Sequence, residues 1–317
     1  MKHKLIQPLK KIYRIARKGM LVILCRIEQR GRSSLKKELP MVSPIFIIGA
    51  PRSGSTLLLQ CMTEAFDLAY MTNLHHQLYT NPSFVERLVK PFRRSYQGDF
   101  KSKHGRTKGW LGPSEAGNYW YRFFRKKPQH VGLKDVDPQK MKEMQYSIFK
   151  IEQAAQRPVL YKNLPISVRL APIMKYFPKA VFIIIRRDII SNTNSILNAR
   201  YKALQKYDEW WSVEPPCKPD FENAAPHIQV IEQIRGIYSE IDKARTGEAS
   251  SKFHDISYSN LCQKPQQVMQ EIKKHLNENN VVTPWNIDVL PRQFTEVERD
   301  KDTHPFANDI KNYLGQK

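Results

Sequence analysis

The chain has 317 residues, 41% of them hydrophobic and 26% charged, a composition that excludes collagenous and disordered classes and supplies apolar surface for a full core. Lys and Arg outnumber Asp and Glu by 52 to 30, leaving a formal charge of +22. Half of that excess lies in residues 1–37, where twelve basic residues meet one acid, Glu28.

Residues 5–30 set Leu5, Leu9, Ile12, Tyr13, Ile15, Leu24 and Ile27 among Lys and Arg at helical spacing, which predicts a basic amphipathic helix. Its longest apolar run, Met20 to Cys25, is six residues and stops at Arg26, short of the about 20 that span a bilayer. It follows a charged stretch and precedes no small-residue cleavage site, so it is not read as a secretory signal. Ile45 to Ile48 is a short β-branched run stopped by Gly49 and predicts a buried strand. From Ser55 to Phe66, the apolar residues Leu57, Leu58, Met62, Ala65 and Phe66 predict a helix. Further strands are predicted at Val159–Tyr161, Ala180–Ile185 and Phe253–Ser257, and further helices at Ser167–Phe177, Asp188–Tyr201 and Pro265–Leu276.

This alternation predicts an α/β fold with a parallel central sheet flanked by helices. Residues 1–40 are expected to form a basic amphipathic segment outside the core, and residues 41–317 one domain. The stretch 70–157 lacks the alternation and reads as an insertion of helices and loops, where acceptor specificity is expected. Cys25, Cys61, Cys217 and Cys262 are scattered, with no CxxC pair, which favours a reducing compartment and a cytoplasmic location.

The strongest motif is Gly49-Ala-Pro-Arg-Ser-Gly-Ser-Thr56, between a predicted strand and a predicted helix. A glycine-containing turn there gathers backbone N–H groups and a helix N-terminus around one point, which suits a phosphate. The spacing is that of a nucleotide-binding P-loop, yet Ser55 stands where a nucleotidase carries Lys, which disfavours ATP hydrolysis. Arg187 at a strand end and Ser195 two turns into the next helix can close on a second phosphate along the same sheet edge. No His/Cys cluster has zinc-ligand spacing, and no metal is expected. Glu115, a lone acid in the aromatic and glycine-rich segment Trp110–Trp120, is a candidate base if burial raises its pKa; an N-terminal helix charge is the alternative. His75 and His76 are the other candidates.

Pro51-Arg-Ser-Gly-Ser-Thr56 and Arg187 with Ser195 resemble the 5′- and 3′-phosphate-binding motifs of sulfotransferases that use 3′-phosphoadenosine 5′-phosphosulfate (PAPS). Tyr161-Lys-Asn163, Phe177-Pro-Lys-Ala180, Trp210-Trp-Ser-Val213 and Tyr258-Ser-Asn-Leu261 are similar to segments of the bacterial members, as is the Gly-Pro-x-Glu element ending at Glu115. The resemblance spans about residues 44–276 and implies the P-loop nucleotidase-like sulfotransferase fold. It implies Arg52 as the catalytic cation at the bridging oxygen, Ser53, Gly54, Ser55 and Thr56 as the 5′-phosphosulfate cradle, Arg187 and Ser195 at the 3′-phosphate, and Tyr258 beside the adenine. Sulfuryl transfer would then need alignment, charge stabilisation and a base, with no protein nucleophile. Ser259 departs from the Glu of many members, and no Arg-Lys-Gly-x-x-Gly element follows, which argues against phenol or steroid acceptors.

The implied acceptor is a hydroxyl on a carbohydrate or glycan, and an acidic polysaccharide would account for the basic charge. Residues 1–37 suit peripheral contact with an anionic membrane surface on its inner, cytoplasmic face. Arg93, Arg94, Arg122, Arg125 and Lys126 interleave with aromatic residues, but no nucleic-acid module accompanies them, so nucleic acid is not expected. Two other function classes stay open on the residues alone: a P-loop nucleotide-dependent kinase, and a basic membrane- or nucleic-acid-binding protein with a vestigial nucleotide site.

Overall fold

The computed structural model describes residues 2–33, 39–100, 107–296 and 304–315. Five strands, β1 (Ile45–Gly49), β2 (Ala69–Tyr70), β3 (Val159–Lys162), β4 (Val181–Arg186) and β5 (Phe253–Ser257), form one sheet in the order β2-β3-β1-β4-β5. Every pairing in it is parallel. Alternate residues of β1 feed two cores. Phe46 and Ile48 pack with Tyr161, Phe182 and Phe253 on one face. Ile45 and Ile47 pack with Leu160, Ile183 and Ile185 on the other. Burial on both faces is why these strands read as continuous apolar runs.

Thirteen helices surround the sheet among the described residues. They are α1 (Lys2–Ser33), α2 (Ser55–Ala65), α3 (Asn73–Gln77), α4 (Pro82–Val89), α5 (Gly117–Trp120), α6 (Pro138–Ala155), α7 (Leu170–Tyr176), α8 (Ile189–Leu204), α9 (Lys218–Phe221), α10 (Pro226–Ala244), α11 (Tyr258–Gln263), α12 (Pro265–Glu278) and α13 (Ala307–Gly315). The four main strands and the helices following β1 and β4 lie where the sequence pattern predicts. The helix expected from Ser167 starts only at Leu170, after a 3-10 turn over Leu164–Val168. The 70–157 stretch holds more of the core than its irregular pattern suggests, because α6 contributes Met141, Met144, Ile148 and Ile151 to the main apolar cluster.

The parallel register brings the strand ends together. Gly49 lies opposite Ile185, Ile47 opposite Lys162 and Arg186 opposite Ser257, so residues 49–56, 162–163, 187 and 258 emerge on one edge of the sheet.

The second half of α1 is tied to the body, contrary to the expectation of a segment outside the core. Leu24 is buried, Thr80 Oγ1 donates to the Leu21 carbonyl at 3.0 Å, and Asn81 Nδ2 donates to the Leu24 carbonyl at 3.2 Å. Glu28, the one acid of residues 1–37, is buried against Arg122 at 2.6 Å and accepts from Ser147 Oγ at 3.1 Å.

Candidate active site

The turn from β1 into α2 has the backbone that its glycines allow. Gly54 sits at φ +95°, and an added Cβ would lie 2.2 Å from a ring carbon of Tyr258. Gly49, at φ +145°, approaches the Ile185 carbonyl so closely that a Cβ would fall 2.6 Å from it. No side chain caps α2, so its first-turn N–H groups have no partner of that kind and form an anion-binding end.

The turn is fixed from several elements. Gly49 N–H donates to Ser167 Oγ at 2.9 Å, and the Tyr238 hydroxyl donates to the Ile185 carbonyl at 2.8 Å while accepting from Ala50 N–H at 3.4 Å. Burial among these groups pushes the Tyr238 phenol up to about 12, which keeps its proton in place as a donor. Asn192 Nδ2 donates to the Pro51 carbonyl at 2.7 Å.

The two sequence motifs meet at this turn. Arg187 donates to the Arg52 carbonyl at 3.2 Å, and Arg52 Nε donates to Ser195 Oγ at 3.4 Å. The Arg187 guanidinium stacks over Tyr258, 4.6 Å from the ring centroid. Asp188 caps α8 by accepting from Ser191 N–H at 2.9 Å. All of these except Asp188 and Ser191 border one cavity of about 1290 Å³, which Gly54, Ser55, Thr56 and Glu115 also line. Ser53 lies fully buried beneath it.

Glu115 reaches the cavity from the residues before α5, but its surroundings differ from the aromatic pocket expected. Its side chain is 34% exposed and pairs with Lys162, whose ammonium also donates to Thr56 Oγ1 at 3.3 Å. Lys162 is buried at the end of β3. The sequence reading quoted this residue without giving it a role. The available signal was a lysine closing an apolar strand at the edge of a parallel sheet where ligands bind.

His75 is not at the cavity. It is fully buried, its Nδ1 accepts from Thr72 N–H at 3.1 Å, and burial followed by the nearby Arg93 charge holds its pKa down at about 3. A ring kept neutral and enclosed cannot exchange a proton with a cavity substrate, so it is withdrawn as a candidate base. His76, one residue on, does line the cavity. The lining also carries Phe100, Tyr121, Trp211 and Phe294. Among the described residues, no group of three or more His, Cys, Asp and Glu stands where it could hold a metal ion.

Among curated proteins, the chain is similar to the omega-hydroxy-beta-dihydromenaquinone-9 sulfotransferase Stf3 of Mycobacterium bovis and of Mycobacterium tuberculosis, at 24% identity over 250 residues. The alignment covers 74% of this chain and 62% of each relative, so the chain spans less than two thirds of their length. Among solved structures, sulfotransferase STF9 from Mycobacterium avium matches with a TM-score of 0.56 at 14% identity, over 87% of this chain and 76% of that one. That likeness gives the fold: a parallel sheet flanked by helices, as in the sulfotransferases. A family model described as the sulfotransferase family matches residues 44–280, from just before β1 to just beyond α12, and the chain belongs to that family.

Proposed function

We propose that this protein moves a sulfuryl group from PAPS to an acceptor hydroxyl in the cavity beside the Gly49–Thr56 turn. The observation that carries the reading is the junction of the two phosphate-facing segments, Arg187 on the Arg52 carbonyl and Arg52 on Ser195. A donor with phosphates at both its 5′ and 3′ positions needs two such sites a fixed distance apart on one sheet edge. A kinase of similar architecture needs a lysine at position 55, where this chain has Ser55.

The residues present fit PAPS. The uncapped start of α2 and the hydroxyls of Ser55 and Thr56 suit the 5′-phosphosulfate, Arg187 and Ser195 suit the 3′-phosphate, and Tyr258 offers a ring face for the adenine. When bound, PAPS supplies a sulfur centre on a phosphate leaving group. Arg52 and Lys162 place two cations where charge grows on that phosphate. Glu115 takes the proton of the acceptor hydroxyl, and Lys162 holds its carboxylate in place. Asn163 Nδ2 donates to the Glu115 carbonyl at 3.4 Å and supports the same segment.

The basic charge favours an anionic acceptor, which a glycan could be. The aromatic residues in the lining and the quinone named for the curated relatives favour a hydroxyl on an amphiphile instead. The test is calorimetric titration with 3′-phosphoadenosine 5′-phosphate in chelator and, separately, with ATP in Mg²⁺. Tight binding of the former alone is the expected result, and preference for Mg-ATP would overturn the reading.

A further inference from the structure

Five of the fifteen exposed large apolar residues described lie between positions 15 and 27 of α1: Ile15, Met20, Val22, Ile23 and Ile27, each 47% exposed or more. At 100° per residue they fall within an arc of about 160°. The residues that bind the body, Arg17, Leu21, Leu24 and Glu28, occupy a narrow arc roughly opposite. Leu24, part of the expected amphipathic stripe, therefore points to the protein side. Leu5, Leu9 and Ile12 fall among residues whose side chains lie outside the described ones.

Charge sorts the same way. Lys18, Arg26 and Arg30 are exposed around the outward face, while the one acid of residues 1–37, Glu28, is turned inward and paired with Arg122. An apolar face with cations set within and beside it suits a bilayer surface with anionic headgroups. A second copy of the helix would bring like charges together, and a nucleic acid would gain nothing from five apolar side chains.

The helix also touches the cavity wall. Arg17 donates from two guanidinium nitrogens to the Gln77 carbonyl, at 3.2 and 3.0 Å, and Gln77 and His76 line the cavity.

We infer that α1 docks this protein on an anionic bilayer through its 15–27 face, bringing the cavity edge at Gln77 to the headgroups so that the acceptor hydroxyl arrives on an amphiphile held in that bilayer. The docking half stands on α1 alone. The acceptor half rests on the sulfotransferase reading of the cavity.

The test uses the full chain with vesicles of phosphatidylcholine alone and of phosphatidylcholine mixed with phosphatidylglycerol. Sedimentation with the mixed vesicles is expected, weakened by salt yet not abolished, because apolar burial survives screening. Changing Ile15→Glu and Ile23→Glu together should weaken partitioning by roughly 100-fold. Both side chains are exposed, so thermal unfolding and affinity for 3′-phosphoadenosine 5′-phosphate should not change. Unchanged vesicle binding in this variant would overturn the docking, as would a wild-type dimer in solution that the variant loses. An environment-sensitive dye on Gln77→Cys, in a Cys25→Ser/Cys217→Ser background, should report headgroup contact on mixed vesicles. A silent dye in a protein that sediments would overturn the acceptor half. Failure to bind 3′-phosphoadenosine 5′-phosphate with docking intact would sink the sulfotransferase reading and leave the docking standing.

Discussion

On the proposed donor wall, Gly49–Thr56, Arg187 and Ser195 are held at strand ends and helix starts, with carbonyls and N–H groups tied across four elements. Elsewhere in the lining, on the proposed acceptor wall, Asn73, His76, Glu115 and Tyr121 come from short helices and loops, and Glu115 keeps its place largely through Lys162 on the donor side. The contrast follows from chemistry. A phosphate asks the same of every protein, namely converging donors that backbone geometry supplies, whereas an acceptor is particular to each enzyme and is met by side chains on variable segments.

The largest expected effect probes the ion pair between Glu115 and Lys162, which links the two walls. Glu115→Gln should lower turnover by about 10²–10⁴-fold with little change in affinity for 3′-phosphoadenosine 5′-phosphate, as loss of a general base does. If Lys162→Met gives the same loss and Glu115→Gln gives almost none, the acid only anchors the lysine. His76→Ala would then be the variant to assay.

Next comes the support of the acceptor wall. Deleting residues 1–33 uncovers the surface that receives Leu24 and leaves Arg122 without Glu28, at a cost of about 2–4 kcal/mol in urea unfolding. Donor affinity should survive the deletion, and a parallel loss of it would show that the walls are not separable.

Arg187→Ala tests the donor wall alone. Losing a charged partner of the 3′-phosphate should weaken binding of 3′-phosphoadenosine 5′-phosphate by about 1.5–3 kcal/mol, read by calorimetry. Turnover at saturating donor should fall much less.

The smallest effect is on stability against pH, and it belongs to the acceptor side. Burial raises Glu152 on α6 to about 8, so its contribution is full below the ordinary carboxylate range and is lost as pH rises through about 8. His75, held at about 3, contributes fully above its ordinary value of 6.5 and loses that as pH falls toward 3. Glu152→Gln should therefore flatten the fall in melting temperature between about pH 4.5 and 8 and leave the loss at lower pH unchanged. An unaltered fall in that window would assign the loss elsewhere.

The donor wall was readable in the sequence because its signals are local. Gly49, Gly54 and the Ser-Thr pair lie within eight residues, and a strand and a helix flank them. Arg187 and Ser195 needed only the rule that parallel strands end on one edge. Lys162 was harder, since its significance depends on Glu115 and Thr56, 47 and 106 residues away in the chain. His75 and His76 read alike as candidate bases, but one helical step turns one ring into the core and the other toward the cavity. The 19-residue helix α10 was not anticipated, although its Tyr238 secures the phosphate turn. Leu24 read as a lipid-facing residue because nothing in an amphipathic pattern says which side of the helix meets protein.

Asn192 touches no candidate ligand position, yet its buried amide holds the Pro51 carbonyl at 2.7 Å while Ser195, one turn on, meets Arg52. Helix α8 is thus a splint for the turn after β1, though 141 residues of sequence separate Pro51 from Asn192. In evolutionary terms, the turn depends on Asn192 whatever residue stands at 51, because the amide meets a main-chain carbonyl. Transplanting the Gly49–Thr56 turn into another sheet without this helix should carry over the motif and lose the grip.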